Sequence, residues 1–157
     1  MIYLTNLSSE QIGIIFSDVL IEVISTTCGI TLDVSPVDEE QRYGELIGLM
    51  SLTGKNHGMV FISSDEDTIR TLSAYMTGVS NEEVSKDDIY DTLCELVNMT
   101  AGNAKLRFNL SEDMYTLNSP FVISGKDISV IMKKRINSIS RIISNNELSL
   151  LVNVVFY

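Results

Sequence analysis

At 157 residues the chain suits a single domain spanning 1–157, long enough to bury a core without disulfides or structural metals. Its 11 Lys and Arg against 21 Asp and Glu leave a formal charge of −10, which repels nucleic acid and anionic membrane surfaces and excludes a general polyanion binder. No uninterrupted apolar run approaches the roughly 20 residues of a membrane span, and the Met1-Ile2-Tyr3-Leu4-Thr5 start lacks the basic residues of a signal peptide, so a cytoplasmic protein without membrane contact is expected.

In chain order, Ile12, Ile15, Phe16, Val19, Leu20, Val23 and Ile24 recur at helical spacing and predict a core helix. Ser8 and Gln11 have the capping-box offset at its start, and Gly29 after Cys28 supplies a left-handed end. From Gly44 to Ser63, two short apolar runs, 46–50 and 59–62, flank Gly54-Lys55-Asn56-His57-Gly58 and predict a β-hairpin. Ser64 is the expected cap of a second helix, with Asp65, Glu66 and Asp67 near the positive end of its dipole, Ile69, Leu72, Tyr75 and Met76 on its buried side, and Gly78 at its end. A third helix is expected from Ser85 to about Arg107. Strands follow over Thr116–Ile123, Asn137–Ser144 and Glu147–Tyr157, the last two joined at Asn145-Asn146. The order α-β-β-α-α-β-β-β predicts an α+β fold, an antiparallel sheet packed under helices. Cys28 and Cys94, far apart on predicted helices, read as small buried hydrophobes rather than a disulfide pair.

The third helix carries the chemical signal. Ile89, Leu93, Leu96, Val97, Thr100 and Ala104 cluster on one side, the face expected on the sheet. Asp91, Glu95, Asn98, Gly102 and Lys105 fall on the opposite side as one continuous strip. Gly102 is the odd member, because glycine inside a helix costs about 1 kcal/mol relative to alanine and a solvent face gives no packing reason for it. A close approach by another protein would give one, with Met99 and Leu106 offering adaptable apolar contact at the strip's edge.

No Ser/His pair, metal-ligand cluster or phosphate-cradling glycine loop accompanies the strip, so neither covalent catalysis nor a metal of the chain's own is supported. An Asn amide can hold a water by donor and acceptor together, and a carboxylate one turn away can anchor a partner's lysine. That suffices to hydrolyse a labile acyl phosphate if a partner brings the phosphoryl group and the metal, since positioning and electrostatics dominate phosphoryl transfer.

The segment Asp91-Thr-Leu-Cys-Glu95-Leu-Val-Asn98-Met-Thr-Ala-Gly102-Asn-Ala-Lys105 resembles the signature helix of the CheX/CheC chemotaxis phosphatases, whose pattern is Glu-x-x-Asn followed by Gly and Lys. The likeness extends more loosely to the leading helix, the glycine-rich hairpin after Gly44, the short helix ending at Gly78, and Ser119-Pro120-Phe121 followed by Gly125. It implies a phosphatase acting on a phosphorylated CheY-type response regulator, with Asn98 orienting the attacking water and Glu95 pairing with the receiver's lysine. Asp91, Met99, Gly102 and Lys105 would contact the partner. The chain would need no cofactor, the magnesium belonging to the receiver. One motif rather than two resembles the CheX type, which implies a homodimer joined through β-sheets, with Leu148–Tyr157 the segment expected to contribute. The same strip would also serve a non-catalytic docking module, and a buried Asn98 would favour a fortuitous match.

The remaining signals read blandly. His57 is expected to be a turn residue, Lys133-Lys134-Arg135 a solvated connection, and Asp91 a surface charge. Lys105 would equally suit the negative end of its helix. The glycosylation patterns at Asn6, Asn98 and Asn109 are accidental in a cytoplasmic protein.

Overall fold

The computed structural model describes residues 7–36, 43–55, 57–108, 115–131 and 137–157. Asn6, Asn56, the pattern at Asn109 and the Lys133-Lys134-Arg135 run lie outside the described residues. The elements are α1 (Ser9–Cys28), β1 (Asp33–Ser35), β2 (Leu46–Thr53), β3 (Gly58–Ser64), α2 (Glu66–Thr77), α3 (Lys86–Arg107), β4 (Thr116–Leu117), β5 (Phe121–Ser124), β6 (Asn137–Ser144) and β7 (Ser149–Phe156). The strands form one antiparallel sheet in the order β1-β6-β7-β3-β2-β4, with β5 also pairing β2. The α+β class and antiparallel sheet are those the sequence predicts.

Period-two alternation sorts the sheet's two faces. Leu46, Met50 and Leu52 of β2 and Val152, Val154 and Phe156 of β7 join Phe16, Leu20, Leu72 and Leu93 from the three helices in the main core. Ile47, Leu49, Phe61 and Val155 point to the other face, covered by Tyr43, Ile128 and Val130. Buried aliphatic side chains of this kind contribute about 1.5–3 kcal/mol each, which fastens the helix layer to the sheet.

The capping box of Ser8 and Gln11 and the left-handed Gly29 bound α1 as expected. Taken by length and composition, Ser9–Cys28 is apolar enough to cross a membrane, which corrects the expectation drawn from uninterrupted runs. Half of that stretch is buried inside the structure, through Ile12, Phe16, Val19, Leu20, Val23 and Ile24, so its hydropathy serves the core.

Four other expectations are corrected. Asp65, not Ser64, caps α2: its carboxylate accepts from the Thr68 N–H at 2.7 Å, while the Ser64 hydroxyl donates to the Ser149 carbonyl at 2.6 Å. Tyr75 is 58% exposed, leaving Ile69 and Leu72, with the partly buried Met76, to hold α2 on the core. β1 was too short and too exposed for any periodicity to mark it. The segment Leu148–Tyr157 forms the turn after β6 and then β7, paired on both sides by β3 and β6, so it offers no strand edge to a second copy.

The expected strand Thr116–Ile123 is broken in two by a change of register. Leu117 lies opposite Leu52 and Phe121 opposite Leu49, so the three residues Asn118, Ser119 and Pro120 face the two residues Met50 and Ser51. One extra residue on one strand is a β-bulge, and Pro120, having no N–H, fits where ladder pairing lapses.

Candidate active site on the outer face of helix α3

Helix α3 is fixed at both ends. Ser85 and Asp88 form a reciprocal capping box, the carboxylate accepting from the Ser85 N–H at 2.8 Å and its hydroxyl at 2.7 Å. These bonds hold the Asp88 carboxyl below its ordinary pKa. Arg70 of α2 donates to the Val84 carbonyl just before the cap at 2.7 Å, and Arg107 in the last turn pairs with Glu22 of α1.

Its inner face is the predicted one. Ile89, Leu93, Leu96, Val97, Thr100 and Ala104 are all buried. The helix lies close on β2 because Gly48 has no side chain: a Cβ there would stand 2.7 Å from Leu93 Cγ and 2.9 Å from Val97 Cγ2.

The outer strip is the complement. Asp91, Glu95 and Asn98 are exposed, and Gly102, Lys105 and Met99 are half-buried. Among the described residues the side chains of Asp91, Glu95 and Asn98 have no hydrogen-bond or ion-pair partner. Among the described residues a Cβ at Gly102 would meet only Leu117 Cδ1 at 3.9 Å, so none of them requires the glycine. Met99 packs against the core, whereas Leu106 is 78% exposed. Lys105 stands 5.5 Å above the ring of the buried Tyr115, a cation–π contact that the sequence did not suggest.

Asp91, Cys94, Glu95 and Asn98 form one side of an open groove of about 490 Å³, and Leu117, Asn118, Ser119 and Pro120 form the other. The bulge therefore faces the strip. Sequence reading flagged Ser119-Pro120 only as part of a wider likeness; a proline within an alternating strand was the available signal. Asn118 is anchored to β2, its amide donating to the Ser51 carbonyl (3.0 Å), Ser51 Oγ (3.1 Å) and Thr53 Oγ1 (3.2 Å).

Cys94 is half-buried in the groove rather than a core residue, and it is unpaired with Cys28. Burial, and then the neighbouring Asp91 carboxylate, raise its pKa, so the thiol stays protonated at neutral pH and is a poor nucleophile. Burial likewise raises the Cys28 thiol. Among the described residues no group of three or more His, Cys, Asp or Glu is placed to hold a metal ion. A larger depression of about 720 Å³, lined by residues including Tyr43, Glu45, Lys126 and Asp127, contains none of the predicted site residues. His57 is a loop residue stacked on Tyr157 at 6.2 Å.

Residues 46–144 match the family model described as chemotaxis phosphatase CheX. No curated protein sequence matches. Among solved structures, the chemotaxis protein CheX from Vibrio vulnificus superposes with a TM-score of 0.79 at 22% identity, over 91% of this chain and 97% of that one. A CheC-like superfamily protein from Shewanella sp. PV-4 gives 0.78 at 24% identity, over 93% and 97%. The CheX-CheY-BeF3-Mg complex from Borrelia burgdorferi contains a chain that gives 0.76 at 18% identity, over 90% and 95%. The structural likenesses carry the fold, and the family model, which covers β2 through β6 and with them the whole of α3, places this chain in the CheX family of chemotaxis phosphatases.

Proposed function

We propose that the chain dephosphorylates the aspartyl phosphate of a CheY-type receiver domain, with Asn98 as the water-positioning residue and Glu95 as the anchor for the receiver's active-site lysine. The observation that carries this reading is the unpartnered Glu95 and Asn98 pair, one helical turn apart, on an exposed face that opens into a groove. A relative in this fold is found with CheY, beryllofluoride and magnesium, and beryllofluoride on a carboxylate imitates a phosphoryl group.

The proposed reaction needs little from this chain beyond placement. Asn98 accepts a hydrogen bond from a water through its carbonyl oxygen and fixes the water's lone pair toward phosphorus. The water oxygen bonds to phosphorus as the bond to the aspartyl oxygen breaks; the receiver's carboxylate leaves with the electron pair, and the water's proton ends on inorganic phosphate. Glu95 takes the lysine ammonium, which holds the receiver in register. Asp91 and Glu95 alone are too few ligands to build a metal site, so a magnesium ion would be held by the receiver, where it would neutralise phosphoryl charge. Cys94, protonated, takes no part as a nucleophile.

The test is decay of a phosphorylated receiver with the native protein, Asn98→Ala and Glu95→Ala. Accelerated decay with native protein is expected, lost with Asn98→Ala and reduced together with binding by Glu95→Ala. Binding with unchanged decay in all three would leave a docking module in place of an enzyme.

A further inference from the structure

The groove has a second wall, and the strip on α3 does not account for it. We propose that the bulge Asn118–Ser119–Pro120 is the other half of the receiver-binding cleft and that Asn118 is its positioning residue, an inference that rests on the receiver reading above.

Three observations carry it. The bulge falls where β2's partner strand passes α3, and its residues Asn118, Ser119 and Pro120 line the same groove as Glu95 and Asn98. A bulge ends pairing locally and turns the strand's side chains, which is why bulges recur beside active sites. Asn118 then fastens this interruption, its backbone N–H and its amide both donating to the Ser51 carbonyl and the amide also reaching Ser51 Oγ and Thr53 Oγ1. Its donors point back into the sheet, so it sets the position of Ser119 and Pro120 rather than touching the phosphoryl group itself.

Charge selects the occupant. Asp91 and Glu95 put two carboxylates in the groove, and among the described residues no cationic side chain pairs with either. An inserted segment must therefore bring positive charge, as a receiver does with the lysine beside its phosphorylated aspartate. Ser119 is exposed on the wall, and Leu117 and Pro120 are half-exposed beside it, giving the inserted segment a small, mainly uncharged surface to slide against.

The experiment uses the full chain and a panel of CheY-type receivers from the same organism, each activated with beryllofluoride for binding and phosphorylated for turnover. Ser119→Trp fills the groove from an exposed position that leaves the core untouched; it is expected to weaken binding by at least roughly tenfold with an unchanged melting temperature. Asn118→Ala, and Asn118→Asp, which turns an acceptor toward the Ser51 carbonyl, are expected to raise KM roughly three- to tenfold with kcat within about twofold. A residue serving stability alone would lower the melting temperature and leave KM at permissive temperature unmoved. Unchanged binding by Ser119→Trp overturns the proposal, as does a loss of kcat without a rise in KM in the Asn118 variants. If native protein binds a receiver but leaves its decay unaltered, the phosphatase reading fails while the cleft stands or falls on the binding arm. If native protein binds no receiver of the panel, both are overturned.

Discussion

The two faces of α3 are built from one continuous stretch of sequence and answer to different demands. On the inner face the apolar residues have a structural reason: Leu93, Leu96 and Val97 are fully buried, and Gly48 on the facing strand is small because Leu93 and Val97 occupy the space. On the outer face the side chains of Asp91, Glu95 and Asn98 make no hydrogen bond or ion pair among the described residues, and Gly102 has room for a methyl group that it does not carry. Propensity alone would place alanine there. Residues that the fold neither uses nor requires are where a demand from outside the chain is easiest to see.

Substitutions that divide stability from activity would sharpen or break this contrast. The largest stability effect belongs to the inner face: Leu93→Ala removes buried methyl groups under the sheet contact and is expected to cost about 2–5 kcal/mol, measured by denaturant unfolding. Gly48→Ala should follow at about 1–3 kcal/mol, since the added Cβ meets Leu93 Cγ and Val97 Cγ2 inside contact distance. Gly102→Ala should have the opposite sign, stabilising by about 0.5–1 kcal/mol through helix propensity while weakening receiver binding. A destabilised Gly102→Ala protein would erase the distinction between the two glycines.

The smallest effect is at the cap. Because hydrogen bonds from Ser85 lower the Asp88 pKa in the folded state, Asp88 contributes stability above its unfolded pKa and loses it as pH falls through the folded value. The stability difference between native protein and Asp88→Ala should therefore be full at neutral pH and shrink below about pH 4 in acid unfolding curves. A difference that grew in acid would contradict the cap's assignment.

Much of this was legible in the sequence where one period dominated. The stripes of α1 and α3, the hairpin of β2 and β3, and the glycine ends at Gly29 and Gly78 all follow from spacing and turn chemistry. The cap of α2 was displaced by one residue because Ser64 and Asp65 are both competent, and only β3's pairing decides between them. The far wall of the groove was hidden for a deeper reason: a bulge is a mismatch between two strands, and Pro120 marks only that pairing lapses, not which residues of β2 it faces. Tyr115, lying under Lys105, was equally silent, because a cation–π contact joins residues whose spacing has no period.

The most direct test of the account measures turnover and binding on one variant. Asn98→Ala, on the exposed face and with no contact to lose, should retain native stability and bind a beryllofluoride-activated receiver within about threefold of the native affinity, yet accelerate decay of the phosphorylated receiver at least roughly 100-fold less. Equal losses of binding and rate, or full turnover without the amide, would contradict a water-positioning Asn98.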